Sequence, residues 1–550
     1  MRQESFVVGA FVLMASSLFS RVLGATYRIL VPLLMGGGHQ GAVGMGLYGM
    51  AAPIYGVLLS VSATGLPVAV ARMVAARVSL GRARAAQRLF RAAFVLVALV
   101  GGAFALALFF GAPWYARHVA RDARAAPAVA AVAPAVLFVS LGAVYRGFLQ
   151  GLRRMTPYAV SQVVEQLARV GSILLLVVLL LPEGVEWAAA GAAFGATLGG
   201  VAALAYLVRQ HRQALRELAA AGPRDAGAAG AGEAGAAADL RELISLAVPI
   251  SLSYMVMPLV TFIDALLVPS RLHAAGLGRE ATALYGMLSG FAAPFMIMPT
   301  TFTAALALNV VPAVSELQAR GDRAGVRARI ALGVRLALLV TLPAAAGLAA
   351  LATPIETVIF RAPAAGPLLF ILSFGSVAIG LQQVTAAALQ GLGRPTVPML
   401  TLFFGAAVKF VLTYVLTGRP EVNVAGAAVA TVAAFASAAA LNALALARLG
   451  CGVSWWRAGA APAVSAALMG LGVAAAFDAV DAALRRLAGD AAGGPLAIAV
   501  AVAAGVAIYG VLAARTGAVR PEDVQSLPRV GRTLVRLGRA LRLWPRAAGA

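Results

Sequence analysis

The chain reads Leu149-Gln150-Gly151-Leu152 in its first half and Leu389-Gln390-Gly391-Leu392 in its second, 240 residues later. In both places arginine and then proline follow within five residues. Another pair of stretches, Tyr48-Gly49-Met50 and Tyr285-Gly286-Met287, recurs at nearly the same offset, and a proline follows each. Chance similarity among apolar stretches is the alternative. Two matches at nearly the same offset, each in the equivalent apolar segment, favour an internal duplication.

The composition is that of an all-α integral membrane protein. Of the 550 residues, 61% are hydrophobic and 12% are charged, whereas soluble domains carry about 25% charged residues. A helix needs about 20 apolar residues to cross a bilayer. By that measure we count about fourteen spans, at 6–35, 44–71, 90–113, 127–150, 158–181, 187–208, 243–269, 281–315, 330–352, 366–392, 396–417, 423–447, 459–477 and 495–513. Proline and glycine interrupt the second and the eighth.

The distribution of basic residues predicts the topology. Of the 44 basic residues, 28 fall in loops on the side of the N-terminus, 9 on the opposite side and 7 within the bounds of the spans. Because cytoplasmic loops are enriched in Lys and Arg, we expect both termini in the cytoplasm. The formal charge of +23 then reflects topology, and we expect no nucleic-acid partner.

The predicted organisation is two pseudo-symmetric six-helix lobes followed by two more helices. The regions are an N-terminal lobe (1–208), a cytoplasmic Ala/Gly-rich linker (209–241), a C-terminal lobe (242–450), two additional spans (451–513) and a basic tail (514–550). Transporters with parallel repeats of this kind bind substrate between the halves and work by alternating access. In the tail, apolar residues at three/four spacing predict an amphipathic helix suited to anionic membrane lipids, with an ordinary solvated tail as the alternative. They are Leu527, Val530, Leu534, Leu537, Leu541 and Trp544.

Four of the basic side chains within spans indicate an anionic substrate. They are Arg21, Arg28, Arg169 and Lys409. A charge at bilayer depth costs about 2.5–3.5 kcal/mol on insertion scales, so it faces a cavity or a partner. Arg21 and Arg28 are two helical turns apart, about 10 Å along one face, and two guanidinium groups so placed could grip a diphosphate. Alternatively, Arg28 reaches the interface or pairs locally.

Two acidic residues are candidate partners of these cations. Glu165 precedes Arg169 by four residues, so the two can neutralise each other on one helix face, and Arg169 would then position the helix rather than bind substrate. Lys409 is the repeat-equivalent of Arg169, but Gly405 occupies the position equivalent to Glu165. Asp264 in the seventh span is the candidate partner of Lys409. We hypothesise a lock between them that a proton or cation could open; a static pair is the alternative.

The sequence contains no Walker loop, no paired His/Cys ligands and no nucleophile elbow. We therefore expect no catalytic residues, no cofactor and no metal centre. The energy for transport would come from an ion gradient, the membrane potential or the gradient of the substrate.

Several motifs resemble those of a known family. Ser20-Arg21-Val22-Leu23-Gly24, with Arg28 a turn later, resembles the first-helix signature of the lipid II flippases (MurJ type). The second span contains Gly46-Leu47-Tyr48-Gly49-Met50, Pro53-Ile54-Tyr55 and Gly65-Leu66-Pro67-Val68-Ala69. It is similar to the stage V sporulation protein B branch of the same multidrug/oligosaccharidyl-lipid/polysaccharide exporter superfamily.

The resemblance implies a V-shaped bundle, monomeric and in the bacterial cytoplasmic membrane, with a central cationic cavity. Spans thirteen and fourteen would form a groove for a polyprenyl tail. The substrate would be a polyprenyl-diphosphate-linked glycan, moved from the inner to the outer leaflet for peptidoglycan or another cell-wall polysaccharide, in vegetative growth or sporulation. Arg21 matches a cavity arginine, whereas Arg28 sits one position later than its counterpart in many members. The arginine that those members use in the eighth span is absent between Thr282 and Ser315.

Some relatives bind sodium through an acid on the seventh helix, which Asp264 resembles. Lys409 would then occupy the place of that ion with its own tethered charge.

Two other functions compete with the flippase. A multidrug or cation antiporter of the related extrusion family has the same architecture, but it needs buried acids, which are fewer here than buried bases. A membrane enzyme acting on lipid-linked sugars would need catalytic residues in a sizeable external loop, and the external loops are short. The sequence leaves open which glycan is carried and which ion drives the movement.

Overall fold

A computed structural model describes residues 16, 19, 20, 23, 24, 26–220, 233–488 and 490–519, and this part of the chain is helical with no strand. We number the helices in chain order. They are α1 (26–34), α2 (Gly38–Leu59), α3 (Gly65–Ser79), α4 (Ala83–His118), α5 (Ala126–Gly151), α6 (Met155–Leu180), α7 (Val185–Ala220), α8 (Glu233–Ala274), α9 (Ala281–Gly286), α10 (Ala293–Ile297), α11 (Thr300–Ala319), α12 (Arg323–Ala350), α13 (Ala352–Phe360), α14 (Gly366–Gly391), α15 (Thr396–Thr417), α16 (Ala425–Arg448), α17 (Trp455–Ala488) and α18 (Asp490–Arg515).

The predicted all-α membrane architecture is confirmed. Among the described residues, thirteen helical stretches are long and apolar enough to cross a membrane. They correspond one to one with the second to fourteenth predicted spans. Half of the first predicted span (6–35) lies outside the described residues. Residues 221–232 of the predicted linker and residues 520–550 of the predicted amphipathic tail also lie outside them.

The chain forms two compact units, and the first comprises residues 1–290. One core of this unit joins α3, α4, α5, α7 and α8 through fully buried side chains such as Val70, Leu89 and Phe148. Helices α7 and α8 extend into both ends of the predicted linker. Arg77 at the end of α3 pairs with Asp239 (2.5 Å) near the start of α8, which ties that end of the linker to α3.

The second unit comprises residues 291–550. Its core joins α11, α12, α14, α16 and α17 through buried side chains that include Val314, Ile330 and Val384. Helices α17 and α18 pack against each other and against α12. The Tyr509 hydroxyl donates to the Leu339 carbonyl (2.9 Å), which fixes α18 on α12.

The internal duplication is visible in matched elements of the two units. A short 3₁₀ turn precedes α5, another precedes α14, and the bounds of both turns and both helices differ by 240 residues. The last residue of each helix is a glycine that packs closely on an equivalent valine. A Cβ on Gly151 would crowd Val74, and one on Gly391 would crowd Val314.

The predicted breaks in the second and eighth spans are present. A π-helical segment, Ser60–Thr64, separates α2 from α3, and another, Met287–Ala292, separates α9 from α10. Such segments widen the turn locally and are common at functional sites. Each interrupted span therefore has a built-in point of bending.

Candidate functional site

Two arginines hold one glutamate between the fifth and sixth helices of the first unit. Arg169 Nη2 donates to Glu165 Oε1 (2.6 Å), and Arg146 Nη2 donates to Glu165 Oε2 (2.7 Å). Arg146 Nε also donates to Ser161 Oγ (2.9 Å). The side chains of Arg146, Glu165 and Arg169 are 13%, 14% and 23% exposed. The cluster therefore carries one net positive charge in a largely buried setting.

The predicted pairing of Glu165 with Arg169 is confirmed, and Arg146 is the residue that sequence reasoning missed. Helices α5 and α6 form an antiparallel hairpin around a turn at residues 152–154. Residues at equal distances from such a turn lie at the same depth, which brings Arg146 beside Ser161. The available signal was an arginine inside the fourth predicted span, near the depth of Glu165 in the fifth.

Gly199 of α7 packs directly behind this cluster. A Cβ on Gly199 would lie 2.8 Å from the Glu165 carbonyl oxygen and 2.9 Å from Arg169 Cβ. Gly191 and Gly195 make similar close contacts with α6 one and two turns away. These three glycines therefore let α6 and α7 pack closely, and α7 fixes the position of Arg169.

Arg169 also borders a cavity of about 40 Å³ that Tyr48 and Tyr55 line.

Arg28 on α1 is exposed, and its guanidinium interacts with the hydroxyl of buried Tyr27. Arg21 lies outside the described residues. The proposed alignment of Arg21 with Arg28 therefore stays a prediction.

The equivalent helices of the second unit carry a different polar set. One face of α15 is a buried stripe that consists of Thr401, Gly405, Lys409, Thr413 and Thr417. Within it, Lys409 is only 1% exposed. Within the described part of the chain, the Thr413 and Thr417 hydroxyls have no hydrogen-bond partner. The stripe thus places a primary amine and two hydroxyls on a single helix face.

Uncharged side chains form a hydrogen-bond network at the positions of the second unit that correspond to Arg146 and Ser161 in the first. Thr401 Oγ1 donates to Asn442 Oδ1 (2.7 Å), and Asn442 Nδ2 donates to Thr385 Oγ1 (3.3 Å). The lobes therefore differ chemically at matched positions. Asp264 lies on α8 in the first unit, and its pairing with Lys409 stays a prediction.

The two copies of the Tyr-Gly-Met motif contact each other in the first unit. The Tyr285 hydroxyl donates to the Gly49 carbonyl (3.0 Å). A Cβ on Gly286 would overlap the Ala42 carbonyl, and one on Gly46 would overlap the Thr282 carbonyl. Small residues at these positions let α2 and α9 approach backbone to backbone.

A charged group joins the same contact from the loop between α4 and α5. Asp122 Oδ2 accepts a hydrogen bond from Thr282 Oγ1 (2.6 Å) at the start of α9, and Arg124 donates to both Asp122 oxygens. Burial acts to raise the pKa of Asp122, but the hydrogen bonds from Arg124 and Thr282 outweigh it and hold the pKa below its usual value. Asp122 therefore remains a carboxylate at neutral pH.

The second unit contains a long apolar groove beside its last two helices. The groove has a volume of about 580 Å³ and is bounded by α12, α13, α17 and α18. Its lining includes Phe295, Pro343, Met469, Val506 and Tyr509. In the described residues, no cluster of His, Cys, Asp and Glu side chains has an arrangement that could hold a metal ion.

Comparison with solved structures shows the fold. A structure described as lipid II flippase MurJ in an inward closed conformation has a TM-score of 0.61 and 12% identity, covering 92% of this chain and 98% of that one. A multidrug resistance MATE family transporter in an inward-facing conformation has a TM-score of 0.60 and 14% identity, covering 78% of this chain and 98% of that one.

Comparison of sequences extends over the whole chain. Stage V sporulation protein B of Bacillus subtilis (strain 168) is 26% identical over 549 residues, which is 98% of this chain and 100% of that protein. The lipid II flippase MurJ of the same organism is 26% identical over 426 residues, 74% of this chain and 76% of that protein. The profile of the family described as polysaccharide biosynthesis protein matches residues 6–318. Because this match covers more than half of the chain, the chain is a multi-pass membrane protein of the polysaccharide biosynthesis protein family.

Proposed function

We propose that this protein is a transporter, not an enzyme, and that it flips a polyprenyl-diphosphate-linked cell-wall precursor from the inner to the outer leaflet by alternating access. The observation that carries the proposal is the cluster of Arg146, Glu165 and Arg169, whose net charge is positive inside a membrane-spanning hairpin. A buried excess of guanidinium groups favours an anionic ligand. The names of the sequence relatives, a lipid II flippase and a sporulation protein, support this class of substrate.

In this proposal Glu165 holds the arginines until the substrate arrives. A diphosphate offers more charge and more acceptor oxygens than one carboxylate, so it can displace Glu165 from Arg169. The cavity beside Arg169 gives the guanidinium room to change partner. Arg21 and Arg28 of the first predicted span would bind the same diphosphate, as their spacing predicts.

The apolar groove beside α17 and α18 would take the polyprenyl tail. Its lining is apolar over about 580 Å³, which suits a hydrocarbon chain and not a glycan. The diphosphate and the tail would then be held by different parts of the protein, which we expect to act as a monomer with both termini in the cytoplasm.

Coupling would involve Lys409 and Asp264. Lys409 is buried on α15, and a buried amine is held charged only by a nearby acid or polar groups. We propose that Asp264 stabilises Lys409 in one state and that a proton or cation releases it in another. Asp264→Asn should then reduce transport while leaving the amount of folded protein unchanged; equal loss of both would contradict a coupling role.

A cation antiporter is the competing function. The fold does not distinguish an antiporter from a flippase, because both types of transporter have it. Such an antiporter needs a buried acid that is free to exchange protons. Glu165, the acid at mid-span in the N-terminal half, is engaged by two arginines. This arrangement favours the flippase.

Ligand binding tests the proposal. The purified protein would be titrated with farnesyl diphosphate and, in parallel, with farnesyl phosphate and tetraphenylphosphonium. We expect preference for the diphosphate, weakened at least about tenfold by Arg169→Ala, which is about 1.4 kcal/mol. Arg320→Ala is the control, because Arg320 lies in an exposed pair with Glu316. Preference for tetraphenylphosphonium, lost in Glu165→Gln, would establish the antiporter instead.

A further inference from the structure

A different apolar groove lies in the second unit, between α12, α14 and α16 and the start of α17. Its volume is about 710 Å³. Its lining includes Phe374, Val432, Ala447 and Trp455. The groove runs from the middle of α14 and α16 to the ends where α16 stops and α17 begins. Such an apolar lining suits a hydrocarbon chain.

The mouth of this groove carries arginines and no acid. Arg448 directly follows Ala447 at the end of α16, Arg457 lies two residues after Trp455, and both are exposed. Arg327 of α12 reaches the same loop, since its Nη2 lies 4.0 Å from where a Cβ on Gly450 would be. In the part of the chain that the structure describes, none of the three arginines has an ion-pair partner. The whole segment 448–457 contains no acidic residue.

Aromatic residues place this mouth at the membrane surface. Trp455 lines the groove, and Trp456 is 82% exposed. Tryptophan concentrates at the level of lipid headgroups because one side of its ring system is apolar and its N–H is polar. The groove therefore opens where a phosphate group would meet the arginines.

We propose that this groove binds one anionic phospholipid, with an acyl chain along α14 and α16 and the phosphate among Arg327, Arg448 and Arg457. Charge complementarity selects the occupant, because a zwitterionic lipid would leave the arginines without a net negative partner. The first unit supplies a contrast. Its apolar groove of about 670 Å³ is lined by Trp187, and Glu183 and Glu186 lie beside that tryptophan in the sequence. The proposal does not depend on which substrate the protein transports.

Quenching of single tryptophans by brominated lipids tests the assignment. Two full-length variants would each keep one tryptophan, Trp455 or Trp187, with the other four changed to phenylalanine. Each would be reconstituted in phosphatidylcholine vesicles with increasing amounts of brominated phosphatidylglycerol, or of brominated phosphatidylcholine. We expect phosphatidylglycerol to quench Trp455 preferentially and to saturate near one lipid per protein. Trp187 should show no such preference.

Substitution of the arginines completes the test. Arg448→Gln and Arg457→Gln should each lower the preference for phosphatidylglycerol about fivefold, which is about 1 kcal/mol per arginine. The matched lysine variants should retain it, and all variants should keep the thermal stability of the parent. Equal quenching by both lipids, or a preference that survives the glutamine substitutions, would overturn the proposal. Displacement of the brominated lipid by undecaprenyl phosphate at equal or lower concentration would assign the groove to a prenyl lipid instead.

Discussion

Arg146 Nη2 lies 2.7 Å from Glu165 Oε2, so the fifth and sixth helices are joined by an ion pair at the same point where Glu165 also binds Arg169. One carboxylate thus serves two guanidinium groups. Removing the carboxylate would leave two partly buried cations, and removing either cation would leave a neutral pair. The net charge of the cluster therefore changes when Glu165 or either arginine is removed.

Arg146→Ala should lower stability measurably. The substitution removes charge-assisted hydrogen bonds to Glu165 and Ser161, at a cost of about 1.5–3 kcal/mol per bond to a charged group. Thermal unfolding of the purified protein would measure the effect. Arg320→Ala removes an exposed pair and should cost less than about 1 kcal/mol. Equal effects of the two substitutions would mean that the Arg146 contacts contribute little.

Gly199→Ala should disturb the position of Arg169. The added methyl group would press on the Glu165 carbonyl and on Arg169 Cβ, so α6 and α7 must separate. Gly171→Ala is the matched control on α6, because nothing lies within 4 Å of its added Cβ, and alanine favours a helix over glycine by about 1 kcal/mol. We expect diphosphate binding to fall in Gly199→Ala and to be unchanged in Gly171→Ala. Unchanged binding in both would show that α7 does not position Arg169.

Gly286→Ala should separate α2 from α9. Its Cβ would overlap the Ala42 carbonyl, whereas a Cβ on Gly111 of α4 would meet nothing. We expect Gly286→Ala to reduce transport and to increase the accessibility of a cysteine placed at Ala42 to a water-soluble reagent. Gly111→Ala should do neither. Accessibility that stays the same in both variants would show that this contact does not keep water out from between α2 and α9.

Glu356 should make stability depend on pH. It lies on α13 between two spans, is fully buried, and its carboxyl oxygens have no hydrogen-bond partner among the described residues. Burial raises the pKa of Glu356 to about 8. Because the folded state holds this proton more tightly than the unfolded state, the stabilisation is complete below about pH 4.5 and is lost as pH rises towards about 8.

The measurement for Glu356 is the melting temperature between pH 5 and 9, compared with Glu356→Gln. The wild-type protein should lose stability relative to the variant as pH rises, by about 1.4 kcal/mol per pH unit at most. Above about pH 8 the difference should level off. Parallel curves for the two proteins would show that Glu356 titrates normally.

The sequence was sufficient for the elements that depend on local pattern. Apolar stretches of sufficient length predicted the helices, and the four-residue spacing predicted the pair of Glu165 with Arg169. The duplicated Leu-Gln-Gly-Leu motif is explained by packing, since the glycine that ends α5 or α14 contacts a valine of the equivalent neighbouring helix. Helix geometry and the thickness of the membrane are enough to predict these features.

The remaining features depend on tertiary packing. Arg146 contacts Glu165 only because α5 and α6 form a hairpin with a particular register, which no local pattern specifies. The hydrogen bond from Thr282 to Asp122 joins residues 160 positions apart. Glu356 is buried by surrounding helices although it lies in a predicted loop. Such contacts follow from the fold as a whole.

In the proposed function, a lipid-linked diphosphate crosses the membrane through a site that contains arginine. The most direct measurement is the external exposure of lipid II in cells depleted of their own flippase and supplied with this protein, with Arg169→Ala or with Arg320→Ala. We predict that the wild-type protein and Arg320→Ala restore exposure, whereas Arg169→Ala, present at the same level in the membrane, does not. Full exposure with Arg169→Ala would contradict the role of the arginine cluster, and no exposure with correctly inserted wild-type protein would contradict lipid II as the substrate.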